Sequence, residues 1–266
     1  MQTQMTTTER TEPLSRPEFD AISLPPPDQA AIFLDIDGTL LEIADRPGDV
    51  LADADLLALI ERLRRVARDA VAFVSGRPVA DIDRIFAPLV LPAAGVHGAE
   101  IRFPDGSRFA TSPEILDDAR PRLHRFAHAH PGLLIEDKGA AIALHFRHRP
   151  DLGPLVAAYM REFGSSDALS VVQGKCVVEL KPSMLDKGTA VARLLESPPF
   201  RGRTPIFIGD DSTDEEAFRF VNSRGGVSVR VGAAEPTCAR THLATPARVR
   251  ALLRSFAASS VRDLPE

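Results

Sequence analysis

The chain has 266 residues, more than one average domain needs, so it holds either one large α/β unit or a core with a second unit inserted or appended. Apolar types make up 44% and charged types 26%, and no window approaches the about 18 uninterrupted apolar residues of a membrane-spanning helix, so a soluble protein with no membrane partner is expected. Lys+Arg 32 against Asp+Glu 37 gives a net charge of −5, which argues against nucleic acid or an anionic surface as a partner. Two cysteines, Cys176 and Cys238, are too few for a disulfide scaffold and suit a reducing compartment. With one tyrosine and no tryptophan there is no aromatic platform for rings to stack on, so a polar ligand must be held by charges and hydrogen bonds.

Residues 1–29 are polar, Thr- and Pro-rich and aperiodic, and Pro25-Pro26-Pro27 can enter neither helix nor sheet ladder; a disordered leader is expected. It lacks the basic start, apolar stretch and cleavage site of a secretory signal, which makes the cytoplasm the expected compartment. AAIFL (30–34) predicts a buried strand ending in Asp35. ADADLLALIERLRRVARD (52–69) places Leu56, Leu59, Ile60, Leu63 and Val66 on one helical stripe. AVAFVS (70–75) predicts the next strand, PVADIDRIFAPL (78–89) the next helix with Pro78 in its first turn, and LPAAGVHG (91–98) follows. Alternating helices and continuously apolar strands specify a parallel sheet covered on both faces. Ligands of such sheets sit beyond the carboxyl ends of the strands, a rule that singles out Asp35, Ser75 and His97.

The middle follows a different pattern. After a hairpin signal at Asp105-Gly106, a helical stretch runs from about Pro113 to His130, and LLIED (133–137) and AIALHFRH (141–148) flank a Lys138-Gly139 turn. A helix over 151–163 and the strands ALSVVQ (168–173) and CVVELK (176–181) complete an α-β-β-α-β-β order, expected to form a small antiparallel sheet with helices on one face. The parallel pattern resumes with DKGTAVARLLES (186–197), TPIFIG (204–209), DEEAFRFVN (214–222), GVSVRVG (226–232) and a last helix near 246–257. The expected fold is therefore α/β: a Rossmann-like, mainly parallel core from 30–111 and 183–266, with an inserted α+β unit over 112–182.

The first strand delivers D-I-D-G-T, Asp35 to Thr39. Carboxylates two positions apart on an extended chain point to one side, and Gly38 lets the chain turn sharply past a ligand. An ionised carboxylate buried alone costs several kcal/mol, so the pair needs a cation, protons or both. A second acidic cluster, G-D-D-S-T-D-E (209–215), stands at the end of TPIFIG, and two oxygen-ligand clusters at one sheet edge suit a hard cation, Mg²⁺ best. Between them fall Ser75-Gly76-Arg77 and Lys187 at a helix start. A hydroxyl, a lysine charge and a helix N-terminus are what a phosphoryl group requires, and together with a carboxylate nucleophile they point to phosphoryl transfer through an aspartyl-phosphate.

DIDGTLLE, VSGRP, DKG and GDDSTDE, in this order, resemble the four motifs of the haloacid dehalogenase superfamily. GVHGAE (95–100), EDKGAAIALHFR (136–147), GKCVVELKP (174–182), DKGTA (186–190) and GDDSTDEEAF (209–218) resemble its trehalose-phosphate phosphatase family, a likeness spanning about 30–255. Ile36 departs from it, since members often carry an aromatic there, and is expected to face away from the carboxylates. The resemblance implies Asp35 as nucleophile and Asp37 as the acid that protonates the leaving sugar oxygen and then the base that activates water. It implies Mg²⁺ on the side chains of Asp35 and Asp210 and the backbone carbonyl of Asp37, with Asp211 beside them, and Ser75 and Lys187 on the phosphoryl oxygens. Asp211 and Asp214 would orient Lys187 and metal waters, and Thr39 would donate to the acid/base carboxylate. The insert would be a cap in which Glu136, Lys138, Arg147, Lys175 and Glu179 read the hydroxyls of a disaccharide phosphate. A trehalose-6-phosphate synthase would be the functional partner.

Rival readings stay open at this stage. The same superfamily holds phosphatases for sucrose 6-phosphate and mannosyl-3-phosphoglycerate, and only the cap residues separate these. A catalytically silent regulatory module would be expected to have lost one of Asp35, Asp37, Lys187 or Asp210. Arg77 is either a site residue or half of a surface ion pair, and His97 either a structural residue or a substrate-loop contact, since the acid/base role is filled. HRFAHAH (124–130) mixes helix faces and reads as a solvated helix, not a metal site. The arginines at 62, 64, 65 and 68 are the polar face of an amphipathic helix.

Overall fold

A computed structural model of the chain describes residues 22–43, 50–111, 113–165, 168–174, 176–232 and 236–259. Strand β1 (Ala30–Leu34) is buried at all five positions, as a central strand packed on both faces must be. Its neighbours are β2 (Val71–Val74) and β10 (Thr204–Gly209), both parallel to it; the register pairs Ala30 with Thr204 and Ile32 with Val71. Strands β3 (Ala93–Gly95), β11 (Val227–Val231) and β12 (Thr241–Leu243) extend the parallel sheet, while β4 (Glu100–Arg102) and β5 (Arg108–Ala110) add an antiparallel edge. The order is β12-β11-β10-β1-β2-β3-β4-β5. Alternate side chains serve opposite faces. Ile32, Leu34, Phe73 and Ile208 pack with helices α1 (Ala54–Val66), α2 (Val79–Ile85) and α7 (Pro246–Ser259), whereas Phe33, Val74 and Phe207 pack with α5 (Lys187–Leu195) and α6 (Glu215–Ser223).

The second sheet is antiparallel, in the order β6 (Leu134–Asp137), β7 (Ile142–His145), β9 (Val177–Pro182), β8 (Leu169–Gly174). Helices α3 (Ala119–Ala129) and α4 (Gly153–Arg161) cover one face, where Leu123, Met160, Ile142, Leu144, Val178 and Leu180 form a separate core. The alternation along β9 then sends Glu179 and Lys181 to the other face. A small apolar contact of Val96, Ala99, Ala140, Ala141 and Leu185 joins the two sheets.

Several expectations shift in detail. The helix read over 52–69 starts only at Ala54, because Asp53 caps it by accepting from Leu56 N at 2.7 Å, and it stops before Arg68 and Asp69, which take positive φ. The stretch 113–130 divides into a short 3₁₀ turn over 113–116 and α3. Strand β12 was not expected, since three residues carry no readable period. Residues 1–21 of the leader lie outside the described residues, but Ile22 packs into the main core and Pro27–Gln29 form a 3₁₀ turn that leads into β1.

Candidate active site

The carboxyl edge of the parallel sheet gathers the acidic residues. Asp35 follows β1 directly, and its amide continues the ladder by donating to Ile208 O at 3.0 Å, so the backbone fixes its place. The carboxylate is 4% exposed, and both of its oxygens are engaged: Lys187 Nζ donates to Oδ1 at 2.7 Å and Thr39 Oγ1 to Oδ2 at 3.1 Å. Lys187, at the first position of α5, also donates to Asp214 Oδ1 at 2.6 Å, and Asp214 is fully buried. Asp210 reaches the same point from the end of β10. Gly38 makes that approach possible, because its φ is +75° and a side chain there would meet Asp210 Oδ2 at 2.0 Å.

One carboxylate oxygen from each of Asp35, Asp210 and Asp214 lies within 4.8 Å of the others. Three carboxylates against a single ammonium leave two negative charges uncompensated in a buried place. Burial pushes Asp35 up to about 7, with Asp214 and Asp37 adding to it against the pull of Lys187. Burial, Asp35 and Asp214 push Asp210 up to about 9. On Lys187 burial acts the other way, but Asp214 and Asp35 outweigh it and hold the ammonium above its usual range. An all-oxygen donor set with two unmet negative charges fits a hard divalent cation.

Asp37 stands apart from this cluster. Arg77 grips it through Nε at 2.5 Å and Nη2 at 2.6 Å, a two-pronged pair in which the guanidinium is 8% exposed. Burial would lower Arg77, yet the Asp37 pair more than offsets it and the net direction is upward. Ser75, just after β2, is buried and its Oγ accepts from Arg77 N at 3.2 Å; helix α2 begins at Val79, after Pro78, with no side-chain cap.

The second sheet places its charges opposite. Glu179 on β9 is 7% exposed and accepts from Lys138 Nζ at 2.7 Å; Lys138 also donates to Gly76 O, in the main sheet's loop, at 3.0 Å. His97 Nε2 lies 3.1 Å from Glu179 Oε1. Although burial alone would raise Glu179, Lys138 and His97 overcome it and hold the carboxyl well below its usual range. Lys138 is likewise held up by Glu179 and Glu136 against burial, whereas burial draws His97 down despite Glu179. Glu136 accepts from His145 at 2.8 Å and is depressed, the contact with His145 and the charge of Lys138 outweighing burial. Arg147 is half-buried two residues beyond β7.

The outcome for the sequence-predicted residues is specific. Asp35, Asp210, Ser75 and Lys187 sit together at the sheet edge, and Arg77 joins them through a part-buried pair with Asp37, not a surface one. Thr39 does not donate to Asp37: the turn after Gly38 carries its hydroxyl back to Asp35. Asp211, placed among the metal ligands from sequence, instead turns its Oδ1 to Ser212 N at 2.6 Å, and Asp214 takes its position in the cluster. Lys175 lies outside the described residues. Ile36 is buried in the main core, away from the carboxylates. Among the described residues the histidines of α3 belong to no such ligand cluster. His145 was missed, yet it was findable: Glu136 pairs with Ala143, which puts His145 diagonally across on the same face.

A mainly parallel sheet with this acidic edge, and an antiparallel sheet facing it, is the fold of solved haloacid dehalogenase-like hydrolases. A solved hydrolase of that description from B. subtilis superimposes with a TM-score of 0.60 over 89% of this chain and 100% of its own, at 16% identity, a likeness of fold alone. The family model for trehalose-phosphatase matches residues 33–247, and the chain belongs to that family. The Escherichia coli trehalose-6-phosphate phosphatase is 39% identical over 226 residues, 84% of this chain and 82% of its own. A Sinorhizobium fredii protein named "Probable trehalose-phosphate phosphatase" is 44% identical over 215 residues, 79% of this chain and 80% of its own. No helix among the described residues is long and apolar enough to cross a membrane.

Proposed function

We propose that the protein hydrolyses trehalose 6-phosphate to trehalose and inorganic phosphate through an aspartyl-phosphate on Asp35. The observation that carries this reading is the buried trio of Asp35, Lys187 and Asp214 with Asp210 beside it: a fixed carboxylate nucleophile, a cation to offset phosphate repulsion, and oxygens left over for a metal. Asp35, Asp210 and Asp214 are the residues that would hold Mg²⁺, with the Asp37 carbonyl as the further oxygen that the resemblance implies. When bound, the ion draws charge from the phosphoryl oxygens.

Asp35 attacks phosphorus as the bond to the sugar oxygen breaks, and Asp37 gives that oxygen a proton. Asp37, now a base, takes a proton from the water that attacks the phosphoenzyme, so one group serves both halves. For Asp37 to act, Arg77 must share its grip with the incoming phosphate. Lys187 and Ser75 bind the phosphoryl oxygens. Glu136, Lys138, Arg147, Lys175 and Glu179 read the sugar hydroxyls, and the two sheets shut out bulk water. The reading extends to a synthase that supplies the substrate and to the cytoplasm as the compartment.

The test is phosphate release with Mg²⁺ over trehalose 6-phosphate, sucrose 6-phosphate, glucose 6-phosphate and mannosyl-3-phosphoglycerate. Strong preference for the first is expected. Preference for another member would reassign the sugar, and no release from any of them would remove the activity.

A further inference from the structure

Three elements converge on the short loop Ser75-Gly76-Arg77. His97 N donates to Ser75 O at 3.1 Å and Val96 N to Arg77 O at 3.0 Å, so the turn after β3 holds both ends of the loop. Lys138, from the opposite sheet, holds its middle through Gly76 O. The His97 ring lies over Gly76 so closely that a Cβ there would stand 2.7 Å from Nε2. Val96 and His97 both adopt positive φ, 48° and 53°, a conformation that the β-branched Val96 takes only when its surroundings impose it.

That strained turn aims His97 at Glu179. Glu179 Oε2 is taken by Lys138, while Oε1, 3.1 Å from His97 Nε2, is buried without a hydrogen bond, as is His97 Nδ1. Glu179 thus keeps one acceptor oxygen uncommitted beside the imidazole. The apolar contact of Val96 and Ala99 with Ala140 and Ala141 seats the two sheets against each other alongside this chain of polar groups.

We propose that His97 is a positioning residue that transmits occupancy of the sugar site to the phosphate site. It does not read the sugar itself. With Lys138 it forms a bracket between Glu179 and the loop that carries Ser75 and Arg77, so that a sugar seated on Glu179 sets the loop in the geometry that holds phosphate and releases Asp37. The inference rests on the reading of the protein as a sugar-phosphate phosphatase. It makes preference for a disaccharide phosphate over a small aryl phosphate depend on His97.

The experiment compares kcat/KM for trehalose 6-phosphate and for p-nitrophenyl phosphate in the full chain with Mg²⁺. His97→Asn keeps a residue at ease with positive φ but is too short to reach Glu179; His97→Gln keeps a donor near the place of Nε2. The asparagine variant is expected to lose about tenfold in the ratio of the two substrates and the glutamine variant to keep most of it, a coupling of ordinary size. In Glu179→Gln, adding His97→Asn should lower the ratio by less than about twofold more, because the two residues act in series. Wild-type protein with no preference for the disaccharide phosphate would overturn the activity reading and this inference with it. A wild type that does discriminate, with His97→Asn losing equally on both substrates or multiplying the Glu179→Gln loss, would overturn the inference alone.

Discussion

The two sheets handle buried charge in opposite ways. At the carboxyl edge of the parallel sheet, Asp35, Asp210 and Asp214 share one lysine, and burial drives Asp35 and Asp210 upward. On the face of the antiparallel sheet, Glu179 has Lys138 and His97, Glu136 has His145, and both carboxyls are depressed. The first region is incomplete without a cation and a phosphate. The second gives each carboxylate a partner, with one buried oxygen, Glu179 Oε1, left without a hydrogen bond. Under the proposed function, chemistry rests on unmet charge and sugar recognition on partnered charge, so a wrong sugar that displaces a partner without replacing it is costly.

Breaking the first region should give the largest effect. Asp35→Asn removes the proposed nucleophile while keeping the shape and the Thr39 and Lys187 contacts within reach, so phosphate release with Mg²⁺ should fall by about 10³-fold or more. Retained turnover would end the covalent mechanism. Lys187→Met strips the only ammonium from the trio and leaves Asp35 and Asp214 unpaired in a buried site. A loss of about 3–5 kcal/mol in denaturant unfolding is expected. A loss below about 1 kcal/mol would mean that the pair is less buried or better hydrated than the structure has it.

The second region should give a milder and more selective loss. Glu179→Ala is expected to raise KM for the disaccharide phosphate by about 10–100-fold while changing KM for an aryl phosphate by less than about threefold, the pattern of lost hydroxyl recognition. Equal effects on both would show that Glu179 does not face the sugar.

The dependence on pH separates the regions by sign. In chelator, the folded protein retains protons on Asp35 and Asp210, pushed up to about 7 and about 9, that the unfolded chain has released. Stability should therefore fall as pH rises from about 4 to about 9. Added Mg²⁺ should flatten that slope, stabilising most at the alkaline end where the carboxylates are free to bind it. Glu179 is depressed, so its contribution is present above its ordinary value of 4.5 and lost as pH falls below it. Unfolding midpoints from pH 3 to 9, with chelator or Mg²⁺ and with Glu179→Gln, resolve the two slopes; a chelated protein that gains stability with rising pH would contradict the charge assignment at the first region.

Much of this was legible in the chain because two strong signals coincided. The apolar runs of β1, β2 and β10 each end in a polar residue, so the alternation of strand and helix placed Asp35, Ser75 and Asp210 on one edge before any contact was known. Contacts formed across the fold were not legible. That Thr39 turns to Asp35, that Asp214 and not Asp211 completes the carboxylate cluster, and that Arg77 clamps Asp37 all depend on where turns point their side chains. The strain at Val96 is invisible too, because a β-branched residue does not announce a positive φ. Strand β12 and the packing of Ile22 escape for a simpler reason: three residues, or one, carry no period.

The central strand β1 has β10 as a partner across the whole inserted unit, and Lys187 reaches Asp35 from 152 residues further along. During synthesis, therefore, Asp35 emerges long before Lys187, the ammonium that pairs with it. The antiparallel sheet, made of near neighbours in the chain, can gather while the parallel sheet still lacks its middle. Competence for phosphoryl transfer is thus a late event in the life of each molecule, and a ribosome that stalls before β10 leaves a carboxylate with no metal site and no phosphatase.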